Sequence, residues 1–197
     1  MSEGITFVGL DAHKKSISVA MFLPDERVPV QWEVANRPEE IKRLARKLKR
    51  SAPGEIRACY EAGPTGYGLK RSLEADEIIC DVIAPSLIPI KAGDRVKTDR
   101  RDAKKLGELL RADLLTVVHA PTPEEESVRD LCRCREDAKE DQTRARHRLG
   151  KFLLRRSLIY STGRAWTTLH RKWLSTLRFE READQAVFDD YMHALDL

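Results

Sequence analysis

At 197 residues, with 41% hydrophobic and 35% charged side chains, the chain is long enough for one domain plus a helical extension and too apolar for wholesale disorder. No run approaches the ~18 apolar residues of a membrane span, and the start from Met1 to Val8 lacks the basic-then-apolar order of a leader, so a cytoplasmic protein without membrane association is expected. Cys59, Cys80, Cys132 and Cys134 are too few for a disulfide scaffold and lack metal-ligand spacing, which leaves buried or incidental thiols.

In chain order, Ile5 to Leu10 is almost wholly apolar, as in a central strand buried on both faces, and ends on Asp11. A polar turn, Ala12 to Lys15, leads to a second strand over 16–22, and Pro24-Asp25 turns into a third with Val28, Val30, Trp32 and Val34 at period two. Asn36 is placed to cap a helix with Pro38 in its first turn and an inner stripe of Ile41, Leu44, Ala45 and Leu48. Strands over 56–60 and 78–83 flank a turn, Gly63 to Gly66, and a short helix with Leu69 and Leu73. Residues 85–97 read as a loop, after which Thr98 or Asp99 starts a helix with Ala103, Leu106, Leu109 and Leu110 facing inward. A three-stranded meander followed by alternating strands and helices defines a mixed α/β sheet.

From Pro123 the pattern changes, because Val128, Leu131, Arg135, Ala138, Gln142, Ala145, Leu149, Phe152, Arg156 and Ile159 recur at steps of three and four. This predicts long helices of coiled-coil type at about 123–160 and 164–195, with a seam that calls for a partner and favours a homo-oligomer. Trp166, Leu169, Trp173 and Leu177 then form one helical stripe, read as core in preference to base stacking.

The net charge of +4 is unevenly spread: residues 142–172 carry nine Lys or Arg and no carboxylate, against four basic and eight acidic residues in 121–141. The nine, Arg144, Arg146, Arg148, Lys151, Arg155, Arg156, Arg164, Arg171 and Lys172, suit phosphate contact, or a solvated helix face.

Four carboxylates stand out by position: Asp11 and Glu61 at strand ends, and Asp99 with Asp102 three apart at a helix start. Adjacent strand ends converge on one sheet edge, so all four can face one pocket, where a magnesium or manganese ion would relieve their repulsion and act on a phosphodiester. A chain with 32 acidic residues also places carboxylates near strand ends by chance, and Asp99 or Asp102 can equally cap a helix. Lys14, Lys15, Arg100 and Arg101 flank the same place, for phosphate or for solvation, and His13 is either a proton-transfer group or an exposed turn residue.

Three ordered motifs carry a resemblance: Gly9-Leu10-Asp11-Ala12-His13-Lys14-Lys15, Tyr60-Glu61-Ala62-Gly63-Pro64-Thr65-Gly66-Tyr67-Gly68-Leu69 and Lys97-Thr98-Asp99-Arg100-Arg101-Asp102-Ala103. The chain resembles the insertion-sequence transposases of the IS110 type, a family that includes the pilin-gene invertase. That resemblance extends through Arg111 to Leu115 and Trp166 to Tyr191. It implies a RuvC-like domain of ribonuclease H fold at 1–118, a helical connection at 119–197, and a catalytic, metal-binding set of Asp11, Glu61, Asp99 and Asp102. It also implies DNA strand cleavage and rejoining directed by a structured guide RNA. Family members continue into a second domain with a catalytic serine, which Ser157, Ser161 and Ser175 do not match, so a chain ending before that domain is expected. Two other readings remain: a stand-alone junction nuclease using the same carboxylates, and a non-catalytic nucleic-acid-binding regulator.

Overall fold

The computed structural model describes residues 4–89 and 99–196, apart from the side chains of Asp99 and Arg100. It divides into two compact units, Met1–Pro121 and Thr122–Leu197. Among the described residues no helix is long and apolar enough to cross a membrane.

The first unit holds one five-stranded mixed sheet. Its strands are β1 (Thr6–Ala12), β2 (Ser16–Phe22), β3 (Val30–Ala35), β4 (Ile56–Glu61) and β5 (Ile79–Ile83). Their spatial order is β3-β2-β1-β4-β5. The meander pairs antiparallel, whereas β4 joins β1 and β5 joins β4 in parallel. This is the α/β arrangement expected of a RuvC-like fold. The third strand begins at Val30 rather than Val28, which is solvent-exposed beyond the turn.

Side-chain alternation sends the strand residues to opposite faces of this sheet. Val8 and Leu10, with Ile17, Val19 and Met21 across one boundary and Ala58 and Tyr60 across the other, form a buried cluster. Helix α1 (Pro38–Ser51) covers it with the expected stripe of Ile41, Leu44, Ala45 and Leu48, joined by Leu69 and Leu73 of α2 (Gly68–Glu74). The residue capping α1 is Arg37, with no side-chain hydrogen bond, rather than Asn36. Pro38 holds Arg37 extended (φ −139°, ψ 148°), and the Asn36 amide instead donates to the His13 carbonyl at 2.8 Å.

The opposite face carries Phe7, Gly9, Asp11, Cys59 and Glu61, and helix α3 (Asp99–Arg111) lies across it. The crossing is set by two glycines. A Cβ on Gly9 would come within 2.0 Å of the Ala103 carbonyl oxygen and 2.4 Å of the Gly107 nitrogen, and one on Gly107 would meet the Phe22 ring at 2.6 Å. At its far end Arg111 donates to the carbonyls of Pro24 and Glu26, in the turn after β2. Because Phe22 pairs with Phe7 near the start of β1, α3 runs antiparallel to β1 and its first turn is directed toward the Asp11 end.

The second unit contains α4 (Pro123–Leu154), α5 (Thr168–Thr176) and α6 (Glu182–Asp196). Thr122 and Glu125 start α4 with a reciprocal capping box. The helix ends at Leu154, before the expected 160, because Ser157 takes a left-handed conformation (φ 57°) and the amides of Ser157 and Leu158 close onto Leu154 and Leu153. Likewise the expected single helix over 164–195 is two, separated by residues 177–181. Ala145, Leu149, Phe152 and Leu153 of α4 are buried against Leu174, Phe188 and Leu195. Thus the seam residues Ala145, Leu149 and Phe152 are covered within the chain, while Val128 (60% exposed) and Leu131 (70%) in its N-terminal half, and Ile159 at its end, face solvent. Among the described residues the expected coiled coil is not seen.

Two consequences can be measured. Gly9→Ala should lower the stability of the first unit by about 3 kcal/mol, the cost of overpacking a rigid crossing, and so lower its urea midpoint; an unchanged midpoint would contradict the crossing. Burial holds the Cys59 thiol far above its ordinary range and pushes Cys80 up to about 12, whereas Cys132 and Cys134 are exposed. A neutral-pH titration with a thiol reagent should therefore count two fast cysteines in the native chain and four after denaturation.

Candidate active site

Asp11 and Glu61 occupy one row of the sheet. The parallel register that pairs Leu10 with Tyr60 carries one step further to bring them side by side, and the same row continues to Ser18 on β2 and Ile83 on β5. Ser18 and Ile83 are buried, and the row lies at the carboxyl ends of the two parallel strands. Such edges are where open α/β sheets bind ligands, since the chain turns away there and leaves a crevice.

A cavity of about 680 Å³ opens at this edge, lined by Asp11, His13, Lys14, Asn36, Glu61 and the turn Gly63 to Thr65 among others. The turn is held from beneath: the Tyr60 hydroxyl donates to the Gly66 carbonyl at 2.9 Å, and Gly66 adopts φ 66°, which glycine accepts without a Cβ clash. Opposite it, the β1–β2 turn is fixed by Asn36, whose backbone amide donates to Lys15 and whose side chain donates to His13. Asp11 is largely buried, its side chain 18% exposed, and His13 Nε2 lies 3.1 Å from its Oδ2. Glu61 is exposed at the rim.

Asp102 is half-buried on the first turn of α3, one residue before Ala103, which packs above Gly9. The backbone of Asp99 opens the same helix; the side chains of Asp99 and Arg100, and residues 90–98, lie outside the described residues. Among the described residues no group of three or more His, Cys, Asp or Glu side chains is drawn together at metal-binding distances. The juxtaposed donors, Asp11 and Glu61, are hard oxygen ligands on one cavity wall, a set that suits magnesium or manganese better than zinc. Lys14 lines the cavity, whereas Lys15 and Arg101 are exposed and are not among its lining residues.

From its sequence position His13 is either a proton-transfer group or an exposed turn residue. The structure gives it a defined partner in Asp11, and the signal available was the Asp-x-His spacing across a two-stranded turn. Asn36 has the sequence position of a cap but a tertiary acceptor 23 residues away in sequence, which no local pattern announces.

In the second unit the nine basic residues have unequal surroundings. Arg148, Lys151, Arg155, Arg164 and Lys172 are exposed, and Arg146 is half-buried with its guanidinium 5.3 Å from the Trp166 ring centroid. Arg144 bridges to Glu140 and Asp141, and Arg171 to Asp196 at 2.8 Å. Arg156 lies over the Phe152 ring at 3.7 Å, donates to the Phe152 carbonyl and pairs with Asp184, holding that carboxyl below its ordinary range.

The sequence model of the IS110-type DEDD transposases, described as "Transposase", matches residues 8–157. The chain belongs to this transposase family. It is 39% identical over 188 residues to a transposase for insertion sequence element IS1533 of Leptospira borgpetersenii, covering 94% of this chain and 54% of that protein. It is 38% identical over 191 residues to a putative transposase, y4qE, of Sinorhizobium fredii, covering 96% of this chain and 49% of that protein. The chain thus spans about half the length of the curated relatives it matches.

Proposed function

We propose that the first unit is the carboxylate centre of a DNA transposase or recombinase that cuts DNA with divalent metal, magnesium or manganese, held by Asp11, Glu61, Asp99 and Asp102. The observation that carries this reading is the single row of Asp11 and Glu61 at adjacent parallel strand ends, facing one cavity toward which the first turn of α3 is directed. Membership of a DEDD transposase family supports it independently. When bound, a divalent cation polarises the scissile phosphate and lowers the pKa of an attacking oxygen. The chain's own residues prepare that chemistry. Burial and His13 fix the orientation of Asp11, Gly9 and Gly107 set the height of α3 above the sheet, and Lys14 lies where a phosphate would enter.

On the same reading the exposed arginines and lysines of 142–172 contact the backbone of DNA or of a structured guide RNA, and the open N-terminal seam of α4 joins a second copy. Arg156 is the exception, since its guanidinium is already engaged by Asp184 and Phe152 and serves the packing of the unit.

Manganese titrated into the full chain should bind saturably in calorimetry. Asp11→Asn and Glu61→Gln should each weaken that binding about tenfold or more, and His13→Ala, which removes a side chain 3.1 Å from Asp11, about tenfold. A chain with no saturable manganese binding, or with binding indifferent to Asp11, would sink the assignment.

Nucleic-acid affinity should fall steeply with salt, each phosphate contact adding about 0.7–0.9 to the slope of log affinity against log salt. Arg148→Glu together with Arg155→Glu, both exposed, should reduce that slope by about 2 and weaken binding across sequences alike. Equal slopes in wild type and double variant would return the segment to a solvated helix face.

A further inference from the structure

The expected stripe of Trp166, Leu169, Trp173 and Leu177 is not one helical face. Trp166 precedes α5, which begins at Thr168, and Leu169 points to solvent, while His170 and Leu174 are buried in its place. What forms instead is a cavity of about 370 Å³ between the end of α4 and the start of α5, lined by Arg146, Lys151, Tyr160, Trp166, His170 and Trp173 among others. Its volume lies near the lower end of the ~300–1,000 Å³ of small-ligand sites. The exposed Leu154 and Ile159 also line it, and Gly150 contributes a bare stretch of helix where an added Cβ would meet nothing within 4 Å.

Three features mark this cavity as more than a packing gap. His170 is only 5% exposed, ringed by Tyr160, Trp166 and Trp173 at centroid distances of 4.8, 5.0 and 5.5 Å. Its Nδ1 accepts the Trp166 backbone amide at 3.1 Å, so the neutral ring carries its proton on Nε2, which has no acceptor among the described residues. Burial lowers the His170 pKa and keeps the ring in that neutral form. Trp166 itself has φ 66°, a left-handed backbone that a bulky residue rarely adopts, and this conformation places its amide on His170. Finally, Arg146 and Lys151 bring positive charge to a rim that is otherwise aromatic and aliphatic.

We propose that this cavity receives one unpaired nucleobase of a single strand, stacked on its aromatic wall and accepting a hydrogen bond from His170 Nε2, with the adjoining phosphate met by Arg146 and Lys151. The chemistry that selects such a ligand is the pairing of a flat π-surface with a buried donor and flanking cations, which neither a duplex nor a bare anion satisfies. The proposal rests on the reading that the basic segment contacts nucleic acid, and adds to it a base-specific site.

The test uses the full chain and short oligonucleotides of equal phosphate number, made as ribose and deoxyribose single strands with bases, as the corresponding abasic strand, and as a duplex. Wild type should bind the strands with bases about five- to hundredfold more tightly than the abasic strand, the range that stacking of one base supplies. The ribose and deoxyribose arms separate RNA from single-stranded DNA as the source of the base. Gly150→Leu fills the cavity from a helical position with open space, so the fold is retained, and it should bring base-containing strands down to the abasic level while leaving duplex affinity unchanged. Trp166→Phe keeps an aromatic wall and should preserve most of the preference. Equal wild-type binding of base-containing and abasic strands, or a preference that survives Gly150→Leu, overturns the pocket and leaves the backbone-contact reading standing. A chain that binds none of the four probes overturns both.

Discussion

The first unit depends on how closely α3 approaches β1. Two glycines without side chains, Gly9 on the strand and Gly107 on the helix, let backbone meet backbone where any Cβ would collide with a carbonyl, an amide or the Phe22 ring. That contact fixes three things together: the depth at which Leu106 and Ala103 seal the sheet, the burial of the Cys59 thiol, whose S–H points at the Leu106 carbonyl, and the position of Asp102 relative to the strand ends. A carboxylate set assembled from a strand and a helix is only as precise as the interface between them. Here that interface is rigid main chain, not adaptable side chains.

The second unit is organised differently. Its centre is Phe152, edge-on to Phe179 and Tyr191 and stacked near Phe188, with the Arg156 guanidinium over its remaining face. Arg156 is thereby both a cation–π partner and half of an ion pair with Asp184, joining α4 to α6. The N-terminal two-thirds of α4 has no such partner among the described residues, and is held by its capping box and by pairs one turn apart such as Arg133 with Asp130.

Much of this architecture is legible in the sequence because the local signals agree with one another. The apolar run before Asp11, the period-two Trp32 and Val34, and the α1 stripe each have one sensible burial, and the observed strands and α1 lie within a few residues of where the pattern puts them. Of the proposed site, the sheet-edge positions of Asp11 and Glu61 follow from strand ends alone, whereas the place of Asp102 depends on the close approach of Gly107 to Gly9, which no local pattern announces. The failures are tertiary. Asn36 is diverted to a carbonyl in the β1–β2 turn, Ser157 takes a conformation usually reserved for glycine and stops α4 early, and Arg156, in a run of cations, is paired with an acidic residue 28 positions on. Heptad spacing, in turn, reports that a face is apolar without saying which element covers it, so the seam does not reveal that α5 and α6 cover Ala145, Leu149 and Phe152.

The direction of α3 has an electrostatic side as well. A helix concentrates partial positive charge at its N-terminus, where the first amides lack intrahelical acceptors. Because Arg111 ties the opposite end of α3 to the turn after β2, that positive end is aimed at the sheet edge holding Asp11 and Glu61. The macrodipole therefore favours negative charge at the carboxylate edge and eases the crowding of anions there, a contribution of about 0.3–1 kcal/mol per charge that the fold supplies from main chain alone. Reversing the helix would keep every side chain in the sequence and turn its negative end on those anions.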